Sequence, residues 1–134
     1  MNYSVDTNIF LRFLQQDDPQ KAERVKKIFG QAQIGKQHLI VEPFIIIELT
    51  YALSSYFKLP KSEICQKIRS ILTLSFLDIH DRKELSEAID VFEKHGVDFM
   101  DALLFVRTIK KDTTKILSFD KDFAKLTPNL YVEH

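Results

Sequence analysis

A single cysteine, Cys65, in 134 residues excludes an internal disulfide and any cysteine-based zinc site. It falls in "KSEICQKIRSIL", on the apolar face of a predicted helix, where a small core residue is expected. The chain also lacks an excess of either charge. Nineteen Lys and Arg balance nineteen Asp and Glu, so no global field draws the protein onto nucleic acid or a membrane, although a local basic patch remains compatible with that balance. No apolar run approaches the roughly 20 residues of a membrane span. The start, "MNYSVDTNIF", has neither the basic region nor the long apolar run of a signal peptide. With no disulfide framework, these absences lead us to expect a cytoplasmic protein. We see no internal repeat, low-complexity segment or linker, and residues 1–134 are expected to form one domain with a real core.

What is present is ordinary globular composition, 45% apolar and 28% charged. "NYSV" reads as a short strand ending at Asp6, after which Ile9, Phe10, Phe13 and Leu14 take up helical spacing. Asp18 is a cap candidate ahead of Pro19, opening an amphipathic helix through Ala22, Val25, Ile28 and Phe29. "HLIV" is a second strand. "PFIIIELTYALSSYF" could pass for a strand by its isoleucines, but the proline start, the length and the following Leu and Ala favour a helix. "PKSEICQKIRSILTL" is helical, "FLDI" a third strand, "DRKELSEAIDVFEKHG" and "VDFMDALLFVRTIKKD" two further helices. "KILSF" is a fourth strand, "DKDFAKL" a helical turn and "LYV" a last strand. Strands alternating with helices predict an α/β fold with a parallel sheet covered on both faces. In such sheets ligands bind past the C-terminal strand ends, and Asp6 and Asp120 each follow an apolar strand segment.

Four acidic positions stand out. Glu48 is the only charge between Pro43 and Phe57, and its neighbours at helical spacing are Phe44, Ile45, Tyr51 and Ala52. This predicts a glutamate on an apolar face, which needs a partner, an arginine such as Arg12 or Arg107 or a metal, unless its side chain snorkels to solvent. Asp6 opens a helix and could cap it, yet Thr7 and Asn8 could cap equally well. Asp98 is placed as a helix cap with Asp101 at the third helical position, an arrangement related to a capping box. In "SFDKDF", Ser118 ends a strand and Asp120 and Asp122 follow; the glycine and terminal glutamate of a calcium loop are absent, which excludes an EF-hand. Each acid alone can be a cap or a turn residue. Carboxylates gathered at close range, however, cannot stay fully ionised without a cation. Oxygen-only ligation favours Mg²⁺ or Mn²⁺, which suits phosphodiester hydrolysis by activated water. The histidines His38, His80, His95 and His134 have no ligand spacing and are expected to be structural or solvent-exposed.

"VDTNIFLRFLQQDDPQKAERV", "ELTYALSSYFKLPKSEI", "DFMDALL" and "LSFDKDF" together resemble, in order and spacing, the PIN-domain proteins, in particular VapC-type toxins of toxin–antitoxin pairs. The resemblance covers nearly the whole chain. It implies a three-layer α/β/α sandwich around a five-stranded parallel sheet, and metal-dependent endoribonuclease activity. It also implies Asp6 as first acid with Asn8 in support, then Glu48 and Asp101. The last acid would be Asp120 ahead of Asp122, with Ser118 where a threonine is common. Asp98 keeps the cap as its main expected role, with a supporting or ligand role open. A homodimer and a small antitoxin protein are the implied partners. Candidate phosphate contacts are Arg12, Lys58, Lys61 and Arg107, each of which could equally be a solvated surface charge. The rival readings are a metal-dependent phosphatase or DNA nuclease, and a catalytically silent module that binds RNA or an antitoxin.

Overall fold

The computed structural model describes residues 1–133, and all twelve expected elements form in the expected order. The described residues divide into two compact units, Met1–Arg82 and a second beginning at Lys83.

In the first unit, β1 (Asn2–Ser4), β2 (His38–Val41) and β3 (Leu77–Ile79) make a parallel sheet in the order β1-β2-β3. The register pairs Ser4 with Ile40 and Ile40 with Asp78, and Val5 N–H extends the ladder to the Ile40 carbonyl at 2.9 Å. Four helices accompany the sheet: α1 (Thr7–Gln15), α2 (Pro19–Gln33), α3 (Pro43–Ser55) and α4 (Lys61–Leu72). The start of α2 follows its sequence signal. The Asp18 carboxylate accepts from Lys21 N–H at 3.1 Å, and Pro19 takes the first position, where its missing N–H has no cost. The isoleucine run of α3 is helical as expected, because Ile45, Ile46, Leu49 and Leu53 fall on one buried stripe. Aromatic rings tie the helices together: Phe29 of α2 meets Phe13 at 4.9 Å, Phe76 at 5.5 Å and the fully buried Phe10 at 6.1 Å between centroids. Cys65 is buried on α4, as expected of a core residue.

The second unit holds α5 (Arg82–Lys94) beyond its first residue, α6 (Phe99–Ile109), β4 (Ile116–Leu117), α7 (Asp122–Leu126) and β5 (Tyr131–Val132). Helices α5 and α6 are joined by an edge-on contact of Phe92 with Phe99 and by Arg107 paired with Glu84 at 2.7 Å. Strands β4 and β5 are parallel.

One expectation fails here. The five strands do not join into one five-stranded sheet among the described residues; they form sheets of three and of two. The strands concerned are too short to bind strongly. β4 and β5 have two residues each, and all three residues of the edge strand β1 are exposed, so little ladder bonding or apolar burial is available to extend either sheet. No described helix is long and apolar enough to cross a membrane. His134 lies outside the described residues.

Arg82 plays a part that no pattern in the sequence announces. Its guanidinium donates to the carbonyls of Leu72 and Leu77, and to that of Leu74 at 3.2 Å. The Leu72 carbonyl is among the last of α4, which have no partner within the helix, Leu74 follows and also accepts from Leu77 N–H at 3.2 Å, and Leu77 opens β3. We expect Arg82→Met to destabilise the protein by about 2 kcal/mol in urea unfolding, since hydrogen bonds to a charged group contribute about 1.5–3 kcal/mol. Arg82→Lys, with no planar fork, should recover only part of that loss.

Candidate active site

In the first unit, Asp6 sits between β1 and α1 in extended backbone (φ −83°, ψ 156°) and occupies the cap position of α1. Its carbonyl accepts from Ile9 N–H at 3.1 Å, but its carboxylate makes no capping bond. The local explanation for an acid at this position is therefore not used, and the carboxylate is exposed and available. Asn8 is exposed on the first turn, whereas Thr7 is buried and its hydroxyl has no partner.

Glu48 corrects the sequence reading. It is exposed, not set on a buried face. The buried stripe of α3 runs through Ile45, Ile46, Leu49 and Leu53, which leaves Phe44 and Tyr51 at the surface, 64% and 38% exposed. Glu48 shares their side of the helix, so neighbours that looked like core are surface aromatics. The expected arginine pairing is also absent. Arg12 bonds Asp17 at 3.0 Å, Arg107 bonds Glu84, and Glu48 has no hydrogen bond or ion pair among the described residues. Its carboxylate faces a cavity of about 400 Å³ that Thr7, Asn8, Arg12 and Tyr56 also line.

In the second unit, Asp98 caps α6, and its carboxylate accepts from Asp101 N–H at 2.8 Å. The return half of a capping box is missing, and no donor reaches the Asp101 carboxylate among the described residues. After β4, Ser118 Oγ accepts from Asp120 N–H and Asp120 Oδ1 accepts from Asp122 N–H, both at 2.9 Å. These two bonds fold the chain into the turn that starts α7. Asp122 pairs with Lys125 at 3.1 Å, so of the two acids it is the one already neutralised by a cation.

Burial holds the Asp101 carboxyl above its usual range, and Asp98, Asp120 and Asp122 push it further in the same direction. The sequence did not single out Tyr131. Its hydroxyl is buried without a partner, and lost hydration, Glu133 and Asp120 all favour its protonated form. Of the proposed phosphate contacts, Lys58 and Lys61 are exposed around the α3–α4 turn, while Arg107 is engaged by Glu84. His38 and His80 both approach Asp78, His38 at 2.9 Å, and serve the sheet rather than the acids above.

This donor set suits a hard divalent cation. It consists of oxygens, its charges repel, and Asp101 has no hydrogen bond to offset that repulsion. Among the described residues, no three His, Cys, Asp or Glu side chains stand in ready metal-holding geometry. No preformed cage is thus present among the described residues.

The PIN-domain family model matches residues 3–127 continuously, and the chain belongs to that family. Over 132 residues it is 29% identical to the VapC ribonuclease of Aquifex aeolicus (strain VF5), an alignment covering 96% of this chain and 97% of the relative.

The raised Asp101 carboxyl has a testable sign. A folded-state value above the unfolded one means that the ionised group costs stability, a cost fully present above the folded value and relieved as pH falls through it. Asp101→Asn should therefore raise the melting temperature of metal-free protein at pH 7. That gain should shrink as the solution is acidified through the carboxyl range. Asp98→Ala should act oppositely at neutral pH, losing about 1 kcal/mol with its cap.

Proposed function

We propose that the protein is a metal-dependent endoribonuclease and the toxin of a toxin–antitoxin pair. The observation that carries this reading is the crowding of Asp101 by Asp98, Asp120 and Asp122 in a chain of the PIN family. Similarity along almost its full length to a VapC ribonuclease supports RNA as the substrate class.

Asp6, Glu48, Asp101 and Asp120 are the proposed metal-holding acids, with Asp122 the alternative to Asp120 and Asn8, Ser118 and Asp98 in support. Mg²⁺ or Mn²⁺ held by these acids would lower the pKa of an attacking water and offset charge on the phosphate and leaving oxygen. The chain's own residues prepare for this in separate ways. Asp98 uses its carboxylate to fix the first turn of α6, which keeps Asp101 at a constant place on the helix. Ser118 fixes the turn that presents Asp120. Among the described residues, Asp6 and Glu48 keep carboxylates free of internal bonds, so either can hold an ion or orient a water. Four acids alone would repel an RNA phosphate, and a divalent cation reverses that sign.

The proposed partners are RNA, a small antitoxin protein and a second copy of the chain, in the cytoplasm. Exposed apolar side chains are available to protein partners, Phe44 on α3 and Met100 and Leu104 on α6.

The experiment compares purified wild-type protein with Asp6→Asn, Glu48→Gln and Asp101→Asn on single-stranded RNA. Wild type should cut RNA in Mg²⁺ or Mn²⁺ and stop in EDTA. Each variant should lose at least about 100-fold, the upper end of what losing even an outer-shell partner of a metal costs. Unchanged cleavage by the variants would overturn the site. Equal turnover of DNA or a phosphomonoester would move the reading to a broader phosphoesterase, and RNA binding with no cleavage would make the protein a binding module.

A further inference from the structure

The neutral composition hides a local field. On one side of α1, Asn8 and Arg12 join Lys21 and Arg24 of α2 around a cavity of about 270 Å³. Three cations line it and no carboxylate does, and of the three Arg12 is already paired with Asp17 at 3.0 Å. Lys21 and Arg24 stand three positions apart on α2, hence on one face, and both are exposed. Neither has an ion-pair partner among the described residues.

On the other side of α1 lies the larger cavity that contains Glu48. Asn8 and Arg12 line it too, so α1 is the shared wall of both. Its far wall carries Tyr56, 79% exposed, propped edge-on against Phe57 at 4.9 Å. An aromatic ring held firm by a neighbour, yet open to solvent, suits stacking with a planar group. Thr7 adds a hydroxyl that is buried at this wall and lacks any partner.

We infer that single-stranded RNA crosses α1, its phosphates on Lys21 and Arg24 and one base stacked on Tyr56 beside Glu48. This inference rests on the ribonuclease reading and adds to it the strand's path and the residues that hold it. Cations that line a cavity free of acids recognise a backbone without regard to sequence. The aromatic platform and the polar groups of the second cavity recognise an unpaired base, which only a single strand can present. A double helix keeps its bases stacked inside and offers Tyr56 nothing.

The test is binding of a fluorescein-labelled RNA decamer in EDTA, where metal-dependent cleavage is blocked, read by anisotropy across a salt series. A matched decamer with abasic positions and a duplex of the same sequence are the comparisons. We expect Lys21→Ala/Arg24→Ala to weaken binding roughly 10-fold or more at moderate salt and to reduce the logarithmic salt slope by about 1.4, at about 0.7 per phosphate contact on single strands. Tyr56→Ala should lose roughly 10-fold on the intact decamer, keep the salt slope and bind intact and abasic strands alike. Both sites are exposed, so unchanged melting temperatures confirm that the variants fold.

Wild-type affinity and slope in the double variant would overturn the cationic path. Preference for the duplex, or an unaltered intact-to-abasic ratio in Tyr56→Ala, would overturn the stacking site. Parallel cleavage assays in Mg²⁺ separate this inference from the reading beneath it. If RNA is cut normally by all three proteins, the path fails and the nuclease stands. If binding follows the variants but nothing is cut, the path stands and the nuclease fails.

Discussion

Like charge held at short range is the constraint on which the account depends. Asp98, Asp101, Asp120 and Asp122 are set within one unit, and burial, with the field of the other three added to it, raises the proton affinity of Asp101. Local structure absorbs part of that charge. Asp98 caps a helix, Asp120 closes a turn, and Asp122 pairs with Lys125. Asp101 receives no such relief, since its carboxylate accepts nothing among the described residues. A fold that keeps an unrelieved carboxylate beside three others accepts a loss of stability, which the proposed divalent cation would recover.

The supporting structure shows how local bonds free some acids by occupying others. The capping bond from Asp101 N–H to Asp98 ends one side chain's freedom and fixes the other's position. In the first unit the reverse holds. Asp6 has the cap position without the capping bond, so α1 begins with its orphan donors unmet by that carboxylate. The aromatic cluster of Phe10, Phe13, Phe29 and Phe76 supplies the tertiary stability that lets α1 start this way.

Much of this was legible in the sequence, for definite reasons. Every helix and strand announced itself through periodicity or through a proline or aspartate at its start, including α3, where Pro43 outweighed a β-branched run. Asp98 and Asp101 were separable because one sits at a cap and the other three residues in. Glu48 was misread because aromatic neighbours at helical spacing look the same in sequence whether they are core or surface; only the buried Ile45–Leu49 stripe shows which side faces in. The single sheet was overestimated because strand composition does not report how few ladder bonds two-residue strands can make. Arg82, Lys21 and Arg24 were missed because a cation's partner, or its lack of one, is a tertiary property. A neutral total charge likewise said nothing about how that charge is distributed.

The most direct measurement is the titration of the Asp101 carboxyl by ¹³C NMR, with and without Mg²⁺. In metal-free protein the account predicts a value above the ordinary aspartate range, falling clearly when Mg²⁺ is added, because the cation favours the ionised form. An Asp101 carboxyl that titrates identically with and without Mg²⁺ would contradict the account at its centre.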